Sequence, residues 1–284
     1  MTARVALTAV VLALAATAAR TQTPTFSSRV DAVRVDVLVT DRGRLVSGLR
    51  ATDFEVLDNG VGQQVDLVTF EQLPLNVVLV LDMSDSVAGE RLAHLRAAGA
   101  ALLEQLTERD EAALVTFTHA VTIRAPLTRD RARVQAALAV QSDHGETSLT
   151  DAAHAGMMIA ESGVGRSLLV LFSDGLDTAS WLTAETVLET ARRTDVVAYA
   201  VATQEQLQPE FTRELAAITG GAQLEIASTK DLGAAFVRIL EEFRQRYLVS
   251  YTPRGVAKAG WHRIEVRVKG RRFTVRARPG YLAD

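Results

Sequence analysis

The stretch Leu75-Asn-Val-Val-Leu-Val-Leu-Asp82-Met-Ser84-Asp-Ser86 joins an apolar run to a group of oxygen-bearing side chains. The run before Asp82 is short and contains one polar residue, which predicts a buried strand of a parallel sheet. Asp82, Ser84 and Ser86 then follow at alternate positions. The stretch therefore predicts a strand that ends in a loop rich in carboxylate and hydroxyl oxygens.

Two further fragments carry oxygen-bearing side chains. Gly145-Glu-Thr147-Ser-Leu-Thr-Asp151 is one, and Phe172-Ser-Asp174-Gly175, which follows the apolar run Leu168–Leu171, is the other. In an open parallel sheet, ligands bind beyond the carboxyl ends of the strands. We therefore expect one metal site, formed by Asp82, Ser84, Ser86, Thr147 and Asp174. Oxygen ligands without sulfur suit a hard cation, so we expect Mg²⁺, or alternatively Mn²⁺ or Ca²⁺.

The order and spacing of Asp-x-Ser-x-Ser, Gly-x-Thr-x-Leu-x-Asp-Ala and Ser-Asp-Gly resemble the metal-ion-dependent adhesion site of von Willebrand factor type A domains. The resemblance covers residues 74–246. It implies that Ser84, Ser86 and Thr147 bind the cation directly. It also implies that Asp82 binds it largely through water and that Asp174 moves between water-mediated and direct contact. It also implies that a partner protein completes the coordination with an Asp or Glu side chain, because hydroxyls neutralise no charge.

Three more residues lie beside the expected site. Asp85 stands between the two serines, His144 precedes Thr147 in the same loop, and Asp177 follows the Ser-Asp-Gly motif. Each of the two carboxylates is either a solvated surface charge or a ligand of a second ion. Repulsion of an acidic partner is a further alternative for Asp85, and His144 is expected to line the metal face.

The chain from Leu75 alternates apolar strands with amphipathic helices, which predicts a doubly wound, mostly parallel α/β sheet of the von Willebrand A or Rossmann-like kind. The strands after the first are expected at Ala112–Thr118, Val121–Pro126, Ser167–Phe172 and Val196–Ala202. The first two of these should form an antiparallel edge. The helices are expected at Glu90–Leu106, Arg129–Val140, Ser148–Glu161, Ala184–Arg193, Pro209–Thr219 and Asp231–Arg246.

Residues 20–73 and 247–284 alternate apolar and polar side chains with the period of β-strands. Asp58-Asn59-Gly60 predicts a hairpin turn that returns along Gln64–Phe70. Because neither flank has enough strands to bury a face alone, we expect them to pair into one discontinuous β-sandwich. With Asp53-Phe54-Glu55, Tyr251-Thr252-Pro253 and Gly280-Tyr281, they resemble a bacterial secreted family related to von Willebrand A domains.

The stretch Arg254–Arg278 holds nine Arg or Lys residues against one Glu. Its alternation predicts a solvated sheet face whose charge is offset by the acidic segment Asp53–Asp66. A surface for an anionic glycan or lipid is the alternative.

Residues 1–19 have the pattern of a secretory signal peptide. Arg4 precedes the uncharged run Val5–Ala16, and Ala16-Thr-Ala18 offers small residues for cleavage. The run is short for a membrane span. A buried N-terminal helix is the alternative. We expect a secreted or periplasmic protein with no transmembrane segment in the mature chain.

The absence of cysteine excludes disulfides. The formal charge of −3 gives no indication of nucleic-acid binding.

The patterns together predict an exported, non-enzymatic module that binds a protein partner through the metal, for adhesion or assembly. The oligomeric state is left undetermined.

Two alternatives to metal-dependent binding stay open. A Mg²⁺-dependent phosphotransferase or phosphatase of the haloacid dehalogenase type also has an Asp after its first strand, but it needs a second carboxylate where Ser84 stands. A structural scaffold with a vestigial site would use its hydroxyls only to cap helices. A serine hydrolase is disfavoured because the chain lacks a Gly-x-Ser-x-Gly elbow.

Overall fold

The computed structural model describes residues 32–69, 73–139, 141, 145–173, 175–204, 210–270 and 272–283. In these residues the strands are β1 (Val33–Asp41), β2 (Arg44–Leu45), β3 (Phe54–Asp58), β4 (Val61–Gln63), β5 (Val65–Thr69), β6 (Leu75–Asp82), β7 (Glu111–Phe117), β8 (Val121–Thr128), β9 (Arg166–Phe172), β10 (Val197–Thr203), β11 (Gln223–Ile226), β12 (Tyr247–Tyr251), β13 (Gly260–Val268), β14 (Thr274–Arg276) and β15 (Gly280–Ala283). The α-helices are α1 (Glu90–Glu104), α2 (Arg131–Ala137), α3 (Leu149–Glu161), α4 (Ala184–Arg193), α5 (Glu210–Ile218) and α6 (Leu232–Arg244). Single 3₁₀ turns lie at Ala51–Asp53, Asp85–Val87 and Thr229–Asp231.

The central sheet has the strand order β11-β10-β9-β6-β7-β8. Its neighbours run parallel except β7 and β8, which form the predicted antiparallel edge. All eight residues of β6 are buried. Val77 and Leu79 pack with α1 and α6 on one face, whereas Val78 and Val80 pack with α3 and α4 on the other, because successive side chains of a strand point to opposite faces. The predicted doubly wound fold is confirmed.

The strand order reverses beside β6. The chain passes from β6 through α1 to β7 on one side, and later returns to β9 on the other side. The loops that leave the carboxyl ends of β6 and β9 therefore diverge to opposite faces of the sheet and open a crevice between them. This topology places the Asp-x-Ser-x-Ser loop next to the segment that follows β9.

Five of the six helices lie within two residues of their predicted bounds. Helix α2 begins two residues later than predicted, because the Asp130 carboxylate caps it by accepting a hydrogen bond from the Arg133 amide at 3.1 Å, and it ends three residues earlier, at Ala137. Strand β11 was not predicted, since it has only four residues and no long apolar run. The chain reaches it through Gly221, where a Cβ atom would lie 1.8 Å from the Ala198 carbonyl oxygen.

The two flanks pair with each other in two sheets. One sheet has the order β14-β1-β12-β5, with β2 beside β1, and the other has the order β15-β13-β3-β4. Strand β1 pairs antiparallel with β12 and β14, and β3 pairs antiparallel with β13. The core between the sheets contains Val35, Val37, Val39, Phe54, Val56, Tyr247, Val249, Tyr251, Ile264 and Val268. The predicted strand-rich unit built from both flanks is therefore present.

The hairpin turn is present, but the predicted return strand pairs with a different strand from the one expected. Asn59 and Gly60 have φ angles of 49° and 81°, as a tight hairpin turn requires, and they join β3 to the short strand β4. The chain then changes sheets, so that β5 pairs with β12 instead of β3. A strand that switches sheets closes the corner of the sandwich, which local sequence alone does not encode.

The predicted solvated basic face over Arg254–Arg278 is wrong at the carboxyl end of that stretch. Arg278 is 7% exposed and donates to the carbonyl oxygens of Thr194 and Arg192, each at 2.8 Å. Arg276 forms an ion pair with Glu242 of α6. These arginines contact helices that flank the central sheet. Their guanidinium groups therefore bind partners within the fold.

The predicted signal peptide, residues 1–19, lies outside the described residues. Over the ranges that the structure describes, no helix combines the length and the apolar character needed to cross a membrane.

Candidate metal site

Asp82 is the last residue of β6, and its side chain is fully buried. Its Oδ1 atom accepts a hydrogen bond from the Ser84 amide at 2.9 Å. Its Oδ2 atom accepts one from the Ser173 hydroxyl at 2.7 Å. Because Ser84 follows β6 and Ser173 follows β9, the carboxylate is held between the two loops that diverge at the strand-order reversal.

The Ser84 and Ser86 hydroxyl oxygens lie 3.1 Å apart. Ser84 is buried and Ser86 is exposed. Ser86 lies within the 3₁₀ turn Asp85–Val87, in which the side chain of Val87 is buried. Neighbouring ligands of an octahedral Mg²⁺ with bonds of 2.0–2.1 Å lie about 3 Å apart. The two hydroxyls thus have the spacing of adjacent corners of such an octahedron.

Thr147 is 7% exposed and lies in the loop before α3. Its amide donates to the Thr178 hydroxyl at 2.9 Å, and its carbonyl oxygen accepts from the amides of Thr178 and Ala179. Its hydroxyl oxygen lies 3.5 Å from the position that a Cβ atom on Gly175 would occupy. The Thr147 hydroxyl therefore faces the segment that follows β9, where the motif containing Asp174 lies.

Asp174 and His144 lie outside the described residues. The residues on either side of Asp174 connect the other ligands: the Gly175 amide donates to the Ser173 hydroxyl at 3.3 Å, and that hydroxyl donates to Asp82. Thr147 thus faces Gly175, and hydrogen bonds run from Gly175 through Ser173 to Asp82. The structure brings together the loops that carry the predicted ligands.

Ser173 contacts the candidate site and was not predicted from the sequence. It is 4% exposed, and its hydroxyl fixes the orientation of the Asp82 carboxylate. The serine of the Ser-Asp-Gly motif was the signal that could have revealed it.

The two flanking carboxylates differ in their surroundings. Asp85 is exposed within the 3₁₀ turn. Asp177 accepts hydrogen bonds from the Thr150 amide at 2.7 Å and from the Ser180 amide and hydroxyl at 3.1 and 2.6 Å. Burial raises the pKa of Asp177, but the hydrogen bonds from Ser180 and Thr150 outweigh burial, so its pKa lies below the usual value. Asp177 braces the loop after β9 against α3.

Asp151 is a second carboxylate that braces this loop, and it was not singled out from the sequence. Its two oxygen atoms accept hydrogen bonds from the amides of Trp181 and Leu182, both at 2.9 Å. The Thr150 hydroxyl donates to the Leu182 carbonyl oxygen at 2.7 Å. The first turn of α3 therefore fixes the backbone of the loop before α4.

The donor set fits a hard cation. Three hydroxyls and the Asp82 carboxylate supply oxygen only, which suits Mg²⁺, Mn²⁺ or Ca²⁺ better than softer metals. Across the part of the chain that the structure describes, which does not include Asp174, no three His, Cys, Asp or Glu side chains converge on one point.

A cavity of about 1020 Å³ lies at the other end of the central sheet. It is lined by Asn76 and Arg166, which lie at the amino ends of β6 and β9, and by Asp36 of β1. The Arg166 guanidinium is paired with Asp36, with Nε 2.9 Å from Oδ1. The cavity is therefore separate from the candidate metal site.

Comparisons with known proteins identify the fold. The chain resembles a von Willebrand factor type A protein from Catenulispora acidiphila, with a TM-score of 0.57 and 13% identity over 84% of this chain and 75% of that one. It resembles proximal thread matrix protein 1 of the mussel byssus, with a TM-score of 0.55 and 13% identity over 72% of this chain and 51% of that one. The PilB minor pilin from Streptococcus sanguinis gives a TM-score of 0.51 and 12% identity over 62% of each chain.

At these identities the solved structures show a shared fold, and no curated protein matches the chain. The family model for the von Willebrand factor type A domain matches residues 76–240. This match spans more than half of the 284 residues and contains the strand-end loops described above. The chain belongs to the von Willebrand factor type A domain family.

Proposed function

We propose that the chain is an exported protein-binding module, without enzymatic activity, that recognises its partner through a divalent cation. The cation, Mg²⁺ or alternatively Mn²⁺ or Ca²⁺, would be held by Asp82, Ser84, Ser86, Thr147 and Asp174. The observation that carries the proposal is the 3.1 Å spacing of the Ser84 and Ser86 hydroxyls beside the oriented Asp82 carboxylate.

The donor set favours binding to an acidic partner. Hydroxyl ligands are neutral, so a bound cation would keep much of its positive charge and attract a carboxylate. An Asp or Glu side chain of a partner protein fits this requirement. Membership of the von Willebrand factor type A family supports a role in protein binding, and the pilin and byssus proteins that share the fold suggest adhesion or assembly.

The phosphatase alternative has little support in the geometry. A haloacid dehalogenase-type mechanism needs an acid/base two residues after the nucleophilic Asp. That position is Ser84, whose hydroxyl contacts Ser86. The scaffold alternative is weakened because the Ser84 side chain makes no capping hydrogen bond to the short helix that follows it.

Calorimetric titration of the full chain with Mg²⁺, Mn²⁺ and Ca²⁺ tests the cation directly. We expect saturable binding that falls at least tenfold when Ser84 and Ser86 are both changed to Ala. The matched control is Ser162→Ala, at the far end of α3, where the hydroxyl donates to the Ile159 carbonyl oxygen. Equal cation affinity in the double variant and in the control would overturn the proposed site.

An assay with a generic phosphoester separates binding from catalysis. We expect no turnover above buffer in the presence of Mg²⁺. Turnover that stops on Asp82→Asn would support the phosphatase alternative and overturn the non-enzymatic proposal.

Export is part of the proposal and rests on the pattern of residues 1–19. Expression of the full-length sequence in a bacterial host, followed by amino-terminal sequencing of the periplasmic or secreted fraction, tests it. We expect a chain that begins near residue 20. A cytoplasmic chain that keeps Arg4 would contradict it.

A further inference from the structure

The loop between β9 and α4 carries two large apolar side chains in solvent. Trp181 is 95% exposed and Leu176 is 50% exposed. Single exposed apolar residues are ordinary and need no explanation. The position and the rigidity of this loop give the two side chains their significance.

The backbone that carries Trp181 is fixed. Its amide and that of Leu182 donate to the two oxygens of Asp151. The preceding residue, Ser180, is held by the Asp177 carboxylate through both its amide and its hydroxyl. A rigid loop loses little conformational entropy on binding, so an exposed indole on it is preorganised for contact.

The same loop is attached to the candidate metal site. The amides of Thr178 and Ala179 donate to the Thr147 carbonyl oxygen at 2.9 and 3.2 Å. Thr147 is one of the proposed cation ligands. A partner whose carboxylate reached the cation would therefore lie beside the loop that carries Trp181 and Leu176.

The charges on this face limit how acidic the partner can be. Asp85, between Ser84 and Ser86 in the sequence, and Glu146, directly before Thr147, are both exposed. They would repel further negative charge, so a partner should carry one carboxylate rather than an acidic cluster. Tryptophan is enriched among the residues that dominate binding energy at protein interfaces.

On the basis of the proposed function, we infer that Trp181 and Leu176 form an apolar recognition surface beside the cation. The surface takes a protein segment in which one Asp or Glu stands within a few residues of a large apolar side chain. The carboxylate completes the coordination, and the apolar side chain packs on the indole.

Selection from displayed peptides tests this inference. The library has a fixed central Asp with random flanks, the full chain is immobilised with Mg²⁺, and bound peptides are eluted with EDTA. We expect enrichment of Leu, Met, Phe, Tyr or Trp near the Asp. For a synthetic copy of the enriched peptide, Trp181→Ala should weaken binding about tenfold or more.

Trp261→Ala is the matched control. Trp261 is 43% exposed on β13 of the sandwich, and this change should leave peptide affinity unaltered. Asp151 accepts its hydrogen bond from the backbone amide of Trp181, which Trp181→Ala retains. Trp181→Ala should therefore keep the loop conformation and the Mg²⁺ affinity measured by calorimetry.

Fluorescence adds a direct reading, since the chain has only two tryptophans. In Trp261→Phe, the emission of Trp181 should shift to the blue when the peptide binds, and Mg²⁺ alone should leave it unshifted. A shift confirms that the indole becomes buried.

The possible failures are distinguishable. Equal peptide affinity in Trp181→Ala and wild type, or enrichment of basic instead of apolar flanks, would overturn the inference while the cation-dependent function stands. The peptide could be captured equally well with EDTA and with Mg²⁺, or a peptide with Asn in place of Asp could be captured as well as the original. Either result would overturn the proposed function and this inference with it.

Discussion

The Arg246 guanidinium donates to the Tyr199 hydroxyl at 2.7 Å, and both side chains are buried. Arg246 stands between α6 and β12, where the chain passes from the central-sheet unit to the sandwich, and Tyr199 lies in β10. The guanidinium also donates to the carbonyl oxygens of Gly220 and of Asp36 in β1. One arginine therefore links the central sheet to a strand of the sandwich.

Arg246→Ala should weaken the link between the two units. It leaves buried acceptors without their donor, and we expect it to lower the free energy of unfolding by about 3 kcal/mol. Urea unfolding measures this loss. Arg238→Ala, at an exposed position of α6, is the control and should change stability by less than about 0.5 kcal/mol.

The same variant should separate the two units during unfolding. At each urea concentration, amide hydrogen exchange in β9 reports on the central-sheet unit, and exchange in β13 reports on the sandwich. With Arg246 present, the two urea transitions should coincide, and with Arg246→Ala they should diverge. Transitions that coincide in both backgrounds would mean that other contacts carry the coupling.

Asp58 organises a buried polar cluster in the sandwich. Its carboxylate accepts hydrogen bonds from His262 Nδ1 at 2.7 Å, the Tyr251 hydroxyl at 2.9 Å and the Tyr281 hydroxyl at 3.1 Å. Asp58→Ala leaves the Tyr251 hydroxyl and the His262 Nδ1 atom, both buried, without this acceptor and should lower the free energy of unfolding by about 3–5 kcal/mol. Chemical unfolding followed through Trp261 measures it, and a loss below about 1 kcal/mol would contradict this account.

Alkaline pH should destabilise the fold through its buried tyrosines. Burial raises the pKa of Tyr199 to about 12, against a usual value of 10, with Arg246 opposing and Glu242 adding to the rise. Burial and the nearby Asp58 also raise the pKa of Tyr251 and of Tyr281. Because the folded state holds these protons more tightly, the stability they contribute is complete below pH 10 and is lost as pH rises through the folded pKa values.

Tyr199→Phe isolates one part of this dependence. Between pH 10 and 12, wild type should lose about 2–3 kcal/mol more stability than the variant, which follows from a shift of about two pKa units. Urea unfolding at pH 8, 10 and 12 gives the comparison. Parallel pH profiles for the two proteins would show that Tyr199 does not titrate in this way.

Ser173→Ala should affect cation binding more than folding. The change removes the hydroxyl that orients the Asp82 carboxylate, and loss of such an outer-shell partner typically lowers metal affinity 10- to 100-fold. Calorimetry with Mg²⁺ measures the affinity, and thermal unfolding without metal checks stability. Recovery of affinity in Ser173→Thr, which restores a hydroxyl, would identify positioning as the cause.

The central unit could be read from the sequence because its signals are local. The apolar run of β6, the period of α1 and the Asp-x-Ser-x-Ser motif each lie within a few residues of chain, and they give the same fold. The predicted ligand loops also meet, since parallel strands bring their carboxyl ends to one edge of the sheet. The roles of Ser173 and Asp151 escaped notice because each depends on a partner distant in sequence.

The sequence by itself determined the alternation of strands and helices, the oxygen-rich chemistry of the three loops that carry the proposed cation ligands and the need for the two flanks to pair. Only the tertiary structure decided that β5 joins β12, that Arg278 is buried against α4 and that Trp181 stands in solvent on a braced loop. Periodicity records which face of a segment is apolar. It does not record which distant segment covers that face, or whether a charged side chain meets water or a buried carbonyl oxygen, because burial is a property of the assembled chain.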